Sequence, residues 1–224
     1  MKLPLKVIAL DFDGVVLETV GIKDWAFKTL FKDHPDHLDE IMAYHLGNNA
    51  TIRFDKFKHI TEKILKQKYT PELKESLSRQ FAELTFQRIV ECPFVKGAKE
   101  FLEYYYKKFP IYIATVNPAD EFERILKARN IFQYITKIYT TPWLKKDALR
   151  DIMKQEKVSA ENMVFVGDSV EDFIAAKDAG IFFIGRQGSK SFEDIDVPVL
   201  TDLEAVKNFL ETSRLETGKQ KVSK

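Results

Sequence analysis

One cysteine, Cys92, stands in 224 residues, which excludes an intramolecular disulfide, and no Cys/His cluster has the spacing of a zinc site. A reducing, cytoplasmic setting is the compartment this implies. An excess of charge of one sign is equally lacking: 35 Lys plus Arg stand against 34 Asp plus Glu, a net +1, so no strong field draws the chain to polyanions or membranes. Nucleic acid is therefore not an expected partner. Nowhere do 18 apolar residues run together, and no membrane span is expected. The opening MKLPLKVIAL, broken by Lys6 and ended by Asp11 and Asp13, lacks the apolar region and cleavage site of a signal peptide and reads as a buried strand. What the chain does have is apolar mass. At 45% hydrophobic and 12% aromatic, with 18 Phe, it can build a true core, and its length allows one domain or one domain with a smaller insert.

Short β-rich runs at 5–10, 111–115, 163–166 and 181–184, with weaker ones at 136–139 and 197–200, alternate with helical patterns at 99–108, 119–129, 145–155 and 170–179. This alternation is the mark of an α/β protein whose parallel strands are joined by right-handed crossovers, a doubly wound sheet. Residues 19–93 interrupt it. There the apolar positions Leu38, Ile41, Met42, then Phe57, Ile60, Ile64, then Leu73, Leu77, Phe81, Leu84 keep helical spacing. Thr70-Pro71-Glu72 carries a capping residue, a Pro at the first helical position and an acid in the first turn. The expected organisation is an α/β core at 1–18 and 94–211, a helical insert at 19–93 and a polar tail at 212–224.

Four elements carry chemistry, each at the carboxyl end of a strand or the start of the next helix, where open α/β sheets place ligands. Asp11-Phe12-Asp13-Gly14 turns two carboxylates the same way, and such a pair calls for a cation such as Mg²⁺. Thr115, followed by Asn117-Pro118, places a hydroxyl and free N–H groups where a phosphate oxygen can bind, although Thr115 also reads as a helix cap. Lys145 and Lys146 open a helix, where the macrodipole disfavours cations unless an anion is bound nearby. Gly167-Asp168-Ser169-Val170-Glu171-Asp172 sets two carboxylates one helical turn apart, suited to a metal ligand and an outer acceptor, with Asp168 or Ser169 as the alternative cap.

Taken together, DFDGV at 11–15, the strand ending in Thr115, the lysine and GDSVED at 167–172 resemble the motifs of the haloacid dehalogenase superfamily, in its phosphoglycolate-phosphatase-like branch. The resemblance spans about Leu5 to Ile184. It implies a Rossmann-like core with an inserted helical cap and a Mg²⁺-dependent phosphatase acting on a small phosphomonoester. By it, Asp11 is the nucleophile forming an aspartyl-phosphate and Asp13 the general acid and base. Mg²⁺ is held by Asp11, the backbone carbonyl of Asp13 and Asp168, while Asp172 orients the lysine or a metal-bound water. Thr115 and the lysine contact the phosphoryl oxygens, with Asn117 beside them. Pro142-x-x-Lys145-x-x-x-Leu149 resembles the family's third motif and selects Lys145 over Lys146.

Within the insert, Arg53 follows the Gly- and Asn-containing break at 47–49 and is the residue placed to meet an anionic substrate group, a surface arginine being the plainer reading. His45 shares the apolar stripe of Leu38, Ile41 and Met42 and reads as core. The tyrosines at 104–106 and Cys92 read as packing residues. A phosphomutase of the β-phosphoglucomutase type shares the same motifs and is the alternative enzyme. A non-catalytic phosphate-binding protein or a signalling receiver domain is the alternative class. The chain is expected to be a monomer or homodimer.

Overall fold

The computed structural model describes residues 4–48, 51–188, 192, 193 and 195–212. Its strands are β1 (Val7–Leu10), β2 (Ile111–Ala114), β3 (Lys137–Tyr139), β4 (Met163–Gly167), β5 (Phe182–Arg186) and β6 (Val199–Leu200). They form one parallel sheet in the order β3-β2-β1-β4-β5-β6. This is the doubly wound order, reversing direction between β1 and β4. A receiver domain has the order 2-1-3-4-5, so that alternative is excluded.

The strands read as unbroken apolar runs because both faces of the sheet are covered. Ile8, Leu10, Ile111, Ile113, Val164, Val166 and Ile184 turn to one face. There they meet α5 (Ala98–Tyr105), α6 (Ala119–Ala128) and α9 (Leu203–Thr212), through Phe101 and Leu102, Phe122 and Leu126, and Leu203 and Val206. The alternate residues Val7, Ala9, Tyr112, Ala114, Met163, Phe165 and Phe183 turn to the other face. They meet α7 (Lys145–Glu156) and α8 (Val170–Ala179), through Leu149, Ile152, Phe173 and Ala176.

Between β1 and β2 lie α1 (Val20–Leu30), α2 (Leu38–Gly47), α3 (Arg53–His59), which runs on into a π-helical turn at Ile60–Ile64, and α4 (Pro71–Glu91). Thr70 caps α4 by accepting from the Leu73 N–H, with Pro71 at the first position. These helices enclose their own apolar cluster: Phe27, Phe31, Ile41, Phe57, Ile60, Ile64, Leu77 and Phe81. The chain enters and leaves them at one place. Leu17 forms an antiparallel bridge with Phe94, flanked by Glu18 N–H to Pro93 O (3.1 Å) and Val95 N–H to Val16 O (3.0 Å).

Differences from the sequence reading fall mostly at element ends. β6 keeps only two residues of the run at 197–200, at the sheet edge, and the helix read at 99–108 stops at Tyr105 because the chain turns there towards β2. Thr212, read as the first residue of the tail, closes α9, and 213–224 lie outside the described residues, as do Asn49 and Ala50 of the break in the insert. Among the tyrosines at 104–106, Tyr105 is buried while Tyr106 is 41% exposed. Cys92 is buried and donates to the Ile89 carbonyl. Among the described residues no helix is long and apolar enough to cross a membrane.

Phe165 is fully buried between β4 and the helices beneath it. Phe165→Ala is expected to lower unfolding free energy by about 3–5 kcal/mol, whereas Leu46→Ala, at a residue 49% exposed, changes it by no more than about 0.5 kcal/mol. Urea titrations followed by circular dichroism measure both.

Candidate active site

The switch between β1 and β4 brings the motifs at the two strand ends side by side. Asp11 extends the ladder past β1, its N–H donating to the Val166 carbonyl at 2.8 Å. Gly14 turns the chain away at φ +72°, and a Cβ there would collide with the Asp168 carboxylate, so glycine serves both the turn and the approach. Ser169 starts α8 with a capping box in which Asp172 is the reciprocal partner, and a Cβ at Gly167 would run into Asp172. Of the two residues read as alternative caps for α8, Ser169 fills the position.

Carboxylate oxygens of Asp11, Asp168 and Asp172 lie within 4.8 Å of one another. Lys145 enters this cluster from the first turn of α7, its Nζ 2.9 Å from Asp11 Oδ1 and 2.6 Å from Asp172 Oδ1. Here is the anion that the lysine pair at a helix start required. Asp172, fully buried, also accepts from Ser169 Oγ (2.6 Å) and N–H (3.2 Å) through Oδ2, so both its oxygens are committed. Burial, reinforced by Asp172, Asp168 and Asp13, pushes the Asp11 carboxyl well above the usual range although Lys145 pulls the other way. Burial would lower Lys145, but Asp11 and Asp172 outweigh it and keep the ammonium charged. A cluster with this surplus of carboxylate fits a hard divalent cation, for which Asp11 and Asp168 face the neighbouring cavity.

Asp13 stands apart from that cluster. Thr19 Oγ1 donates to its Oδ1, Lys23 forms an ion pair with Oδ2, and Asn117 Nδ2 donates to Oδ2 at 2.9 Å. Burial alone would raise this carboxyl; the Lys23 charge and the three donors hold it below the usual range. Thr115 is 2% exposed, and its hydroxyl accepts from Asn117 Nδ2 (2.9 Å) and N–H (3.3 Å). The residue before α6 is Pro118, so Thr115 is not its cap.

A cavity of about 430 Å³ opens beside Asp11, Asp13, Lys145 and Asp168. Lys23, His45, Arg53 and Lys56 line it from the insert. Arg53 is neither a surface residue nor open to an anion in this arrangement: its side chain is 12% exposed and forms a two-pronged pair with Glu121 of α6. His45 packs in the interior as its apolar stripe implies, stacked on Phe27 at 4.0 Å, and it also reaches the cavity. Sequence reasoning missed Thr19, Lys23, Asp24, Lys56 and Glu121. The signal available was the spacing of Thr19 and Lys23, one helical turn apart at the start of α1 and hence on one side of it.

A family model described as haloacid dehalogenase-like hydrolase matches residues 8–186. The chain belongs to this family. Among curated relatives, the hydrolase is 28% identical over 200 residues to a phosphoglycolate phosphatase of Vibrio cholerae, covering 81% of this chain and 84% of that protein. It is 27% identical over 197 residues to one of Photobacterium profundum, covering 81% and 82%. Among solved structures, it superposes on a predicted phosphoglycolate phosphatase of Haemophilus somnus with a TM-score of 0.72, at 17% identity, over 92% of this chain and 98% of that one. On CbbY of Rhodobacter sphaeroides in complex with phosphate it superposes with a TM-score of 0.67, at 19% identity, over 88% and 94%. The doubly wound fold is thus shared with these two proteins.

The carboxylate cluster leads to an expected outcome for the metal. At a hundredfold excess over its Kd, Mg²⁺ should stabilise the folded hydrolase by about 2.7 kcal/mol, seen as a rise in Tm, and Asp168→Asn should abolish the rise.

Proposed function

We propose that this hydrolase, a phosphoric monoester hydrolase, acts in the cytoplasm on a small phosphomonoester of the phosphoglycolate or sugar-phosphate type through a covalent intermediate on Asp11. The observation that carries the reading is the contact of Lys145 with both Asp11 and Asp172, which fixes one nucleophilic carboxylate beside a charged ammonium at the end of the central strand. Asp11 attacks phosphorus, the ester P–O bond breaks, and the leaving oxygen takes a proton from Asp13. Asp13 then removes a proton from water, which attacks the aspartyl-phosphate to release inorganic phosphate and regenerate Asp11. Asp13 carries the proton it gives as the ester enters, and the hold of Thr19, Lys23 and Asn117 favours the ionised form it is then left in, the form that takes a proton from water. Thr115, Asn117 and Lys145 donate to the phosphoryl oxygens, where charge must be stabilised during transfer. Asp172 positions Lys145.

Asp11, the backbone carbonyl of Asp13 and Asp168 would hold Mg²⁺, which supplies charge neutralisation for the phosphoryl group and for the crowded acids when bound. Arg53, paired with Glu121, would meet an anionic part of the substrate only where that pair opens. The helical insert, residues 19–93, acts as a cap that excludes water from the crevice, joined to the core formed by 1–18 and 94–211.

A panel of phosphomonoesters with and without Mg²⁺ tests the reading: metal-dependent release of inorganic phosphate is expected, and its absence from every ester overturns it. Asp11→Asn should eliminate acid-quenchable phosphoenzyme, and Asp13→Asn should lower kcat about 10²- to 10⁴-fold. Lys145→Ala should cost about 10²- to 10³-fold in kcat. If the loss instead follows Lys146→Ala, the choice of lysine is overturned.

A further inference from the structure

The insert side of the cavity carries a second polar centre that the hydrolytic chemistry leaves unused. Lys56 is 3% exposed yet lines the cavity, in the turn of α3 after Arg53, and three-residue spacing sets the two cations on one side of the helix. Its Nζ lies 3.2 Å from His45 Nδ1 and 3.3 Å from the His45 carbonyl, and 5.5 Å from the centre of the Phe27 ring. His45, itself 3% exposed, has Nε2 2.8 Å from Asp24 Oδ1. An ammonium only donates, so Nδ1 accepts from Lys56 and the proton on Nε2 is given to Asp24. Burial and the Lys56 charge hold His45 below its ordinary pKa against the pull of Asp24, in keeping with a neutral ring. Each member thereby fixes the next, and the ammonium is presented in one place.

Burying an ammonium is costly, and a site that needed only packing would be filled better by an apolar chain. Arg53 alongside already grips one carboxylate, that of Glu121, while its Nε is buried without a hydrogen-bond partner among the described residues. The cavity is polar on both sides: Asp11, Asp13 and Asp168 line it at the strand ends beside Lys145 and Lys146, and Lys23, Arg53 and Lys56 line it from the insert beside Asp24. A ligand with negative charge at both ends and a metal ion at one of them matches this distribution.

We propose that Lys56, positioned by Asp24 and His45, is a specificity-determining residue that selects phosphomonoesters bearing a second anionic group on the leaving alcohol. The inference rests on the phosphatase reading and deepens it. The probes are a matched two-carbon set, ethyl phosphate, phosphoglycolate and ethylene glycol bisphosphate, with their three-carbon homologues, assayed with Mg²⁺. The wild-type enzyme is expected to favour the charged esters over the neutral one about 10- to 100-fold in kcat/KM, and the carboxylate and phosphate arms show which anion is preferred. Lys56→Met should reduce that ratio about tenfold, Lys56→Arg should preserve most of it, and His45→Asn should reduce it through KM rather than kcat. Circular dichroism checks folding, and Lys56→Gln replaces the Met variant if that one does not fold. A wild-type enzyme that treats charged and neutral esters alike overturns the inference while leaving the phosphatase reading intact, as does a Lys56 variant that loses activity on all esters equally or keeps the wild-type ratio. Absence of phosphate release from every ester overturns both.

Discussion

Three carboxylates crowded at the end of two adjacent strands repel one another, and the rest of the architecture exists in relation to that repulsion. Lys145 offsets part of it by bridging Asp11 and Asp172. Ser169 ties down the remaining oxygen of Asp172, so the acid that lies deepest is also the one most fully engaged. Asp11 and Asp168 face the cavity. The doubly wound sheet makes this crowding possible, because only the reversal of strand order sets the ends of β1 and β4 next to each other.

The two acids at the end of β1 are drawn into different surroundings although a single residue separates them. Asp11 sits among other carboxylates and has one ammonium; Asp13 sits among donors, with Thr19, Lys23 and Asn117 around it. Burial acts on both in the same direction, and the partners decide the outcome, up for one and down for the other. Two identical side chains thus acquire opposite protonation tendencies from their surroundings alone. One of the partners that sets Asp13, Lys23, belongs to α1, so the electrostatics of the sheet end depend on where the insert lies.

Strands and motifs were legible in the sequence because they rest on local rules. A strand buried on both faces must be continuously apolar, and the residues that follow it must turn. The choice of Lys145 over Lys146 comes from the likeness of 142–149 to the family's third motif, and Lys145 is the lysine that contacts Asp11 and Asp172. Lys23, Lys56 and Glu121 were not legible, since each matters through a partner on another element: Asp13 past the end of β1 for Lys23, His45 of α2 for Lys56, and Arg53 of α3 for Glu121. No periodicity records such meetings. Arg53, read as the residue placed to meet an anionic substrate group, lines the cavity, and its pairing with Glu121 required the sheet and the insert to be seen together. His45 shows that core and site are not exclusive, for a ring stacked on Phe27 also fixes a cation at the cavity wall.

The bridge between Leu17 and Phe94 carries a further consequence. Because exit and return lie hydrogen-bonded side by side, everything between them is topologically a closed excursion, and no strand pairing in the sheet depends on its length or contents. Such a junction lets evolution exchange the excursion as a cassette: a different helical module spliced at the same two neighbours would keep the carboxylate cluster of the sheet, would have to supply its own partners for Asp13, and would bring its own choice of metabolite.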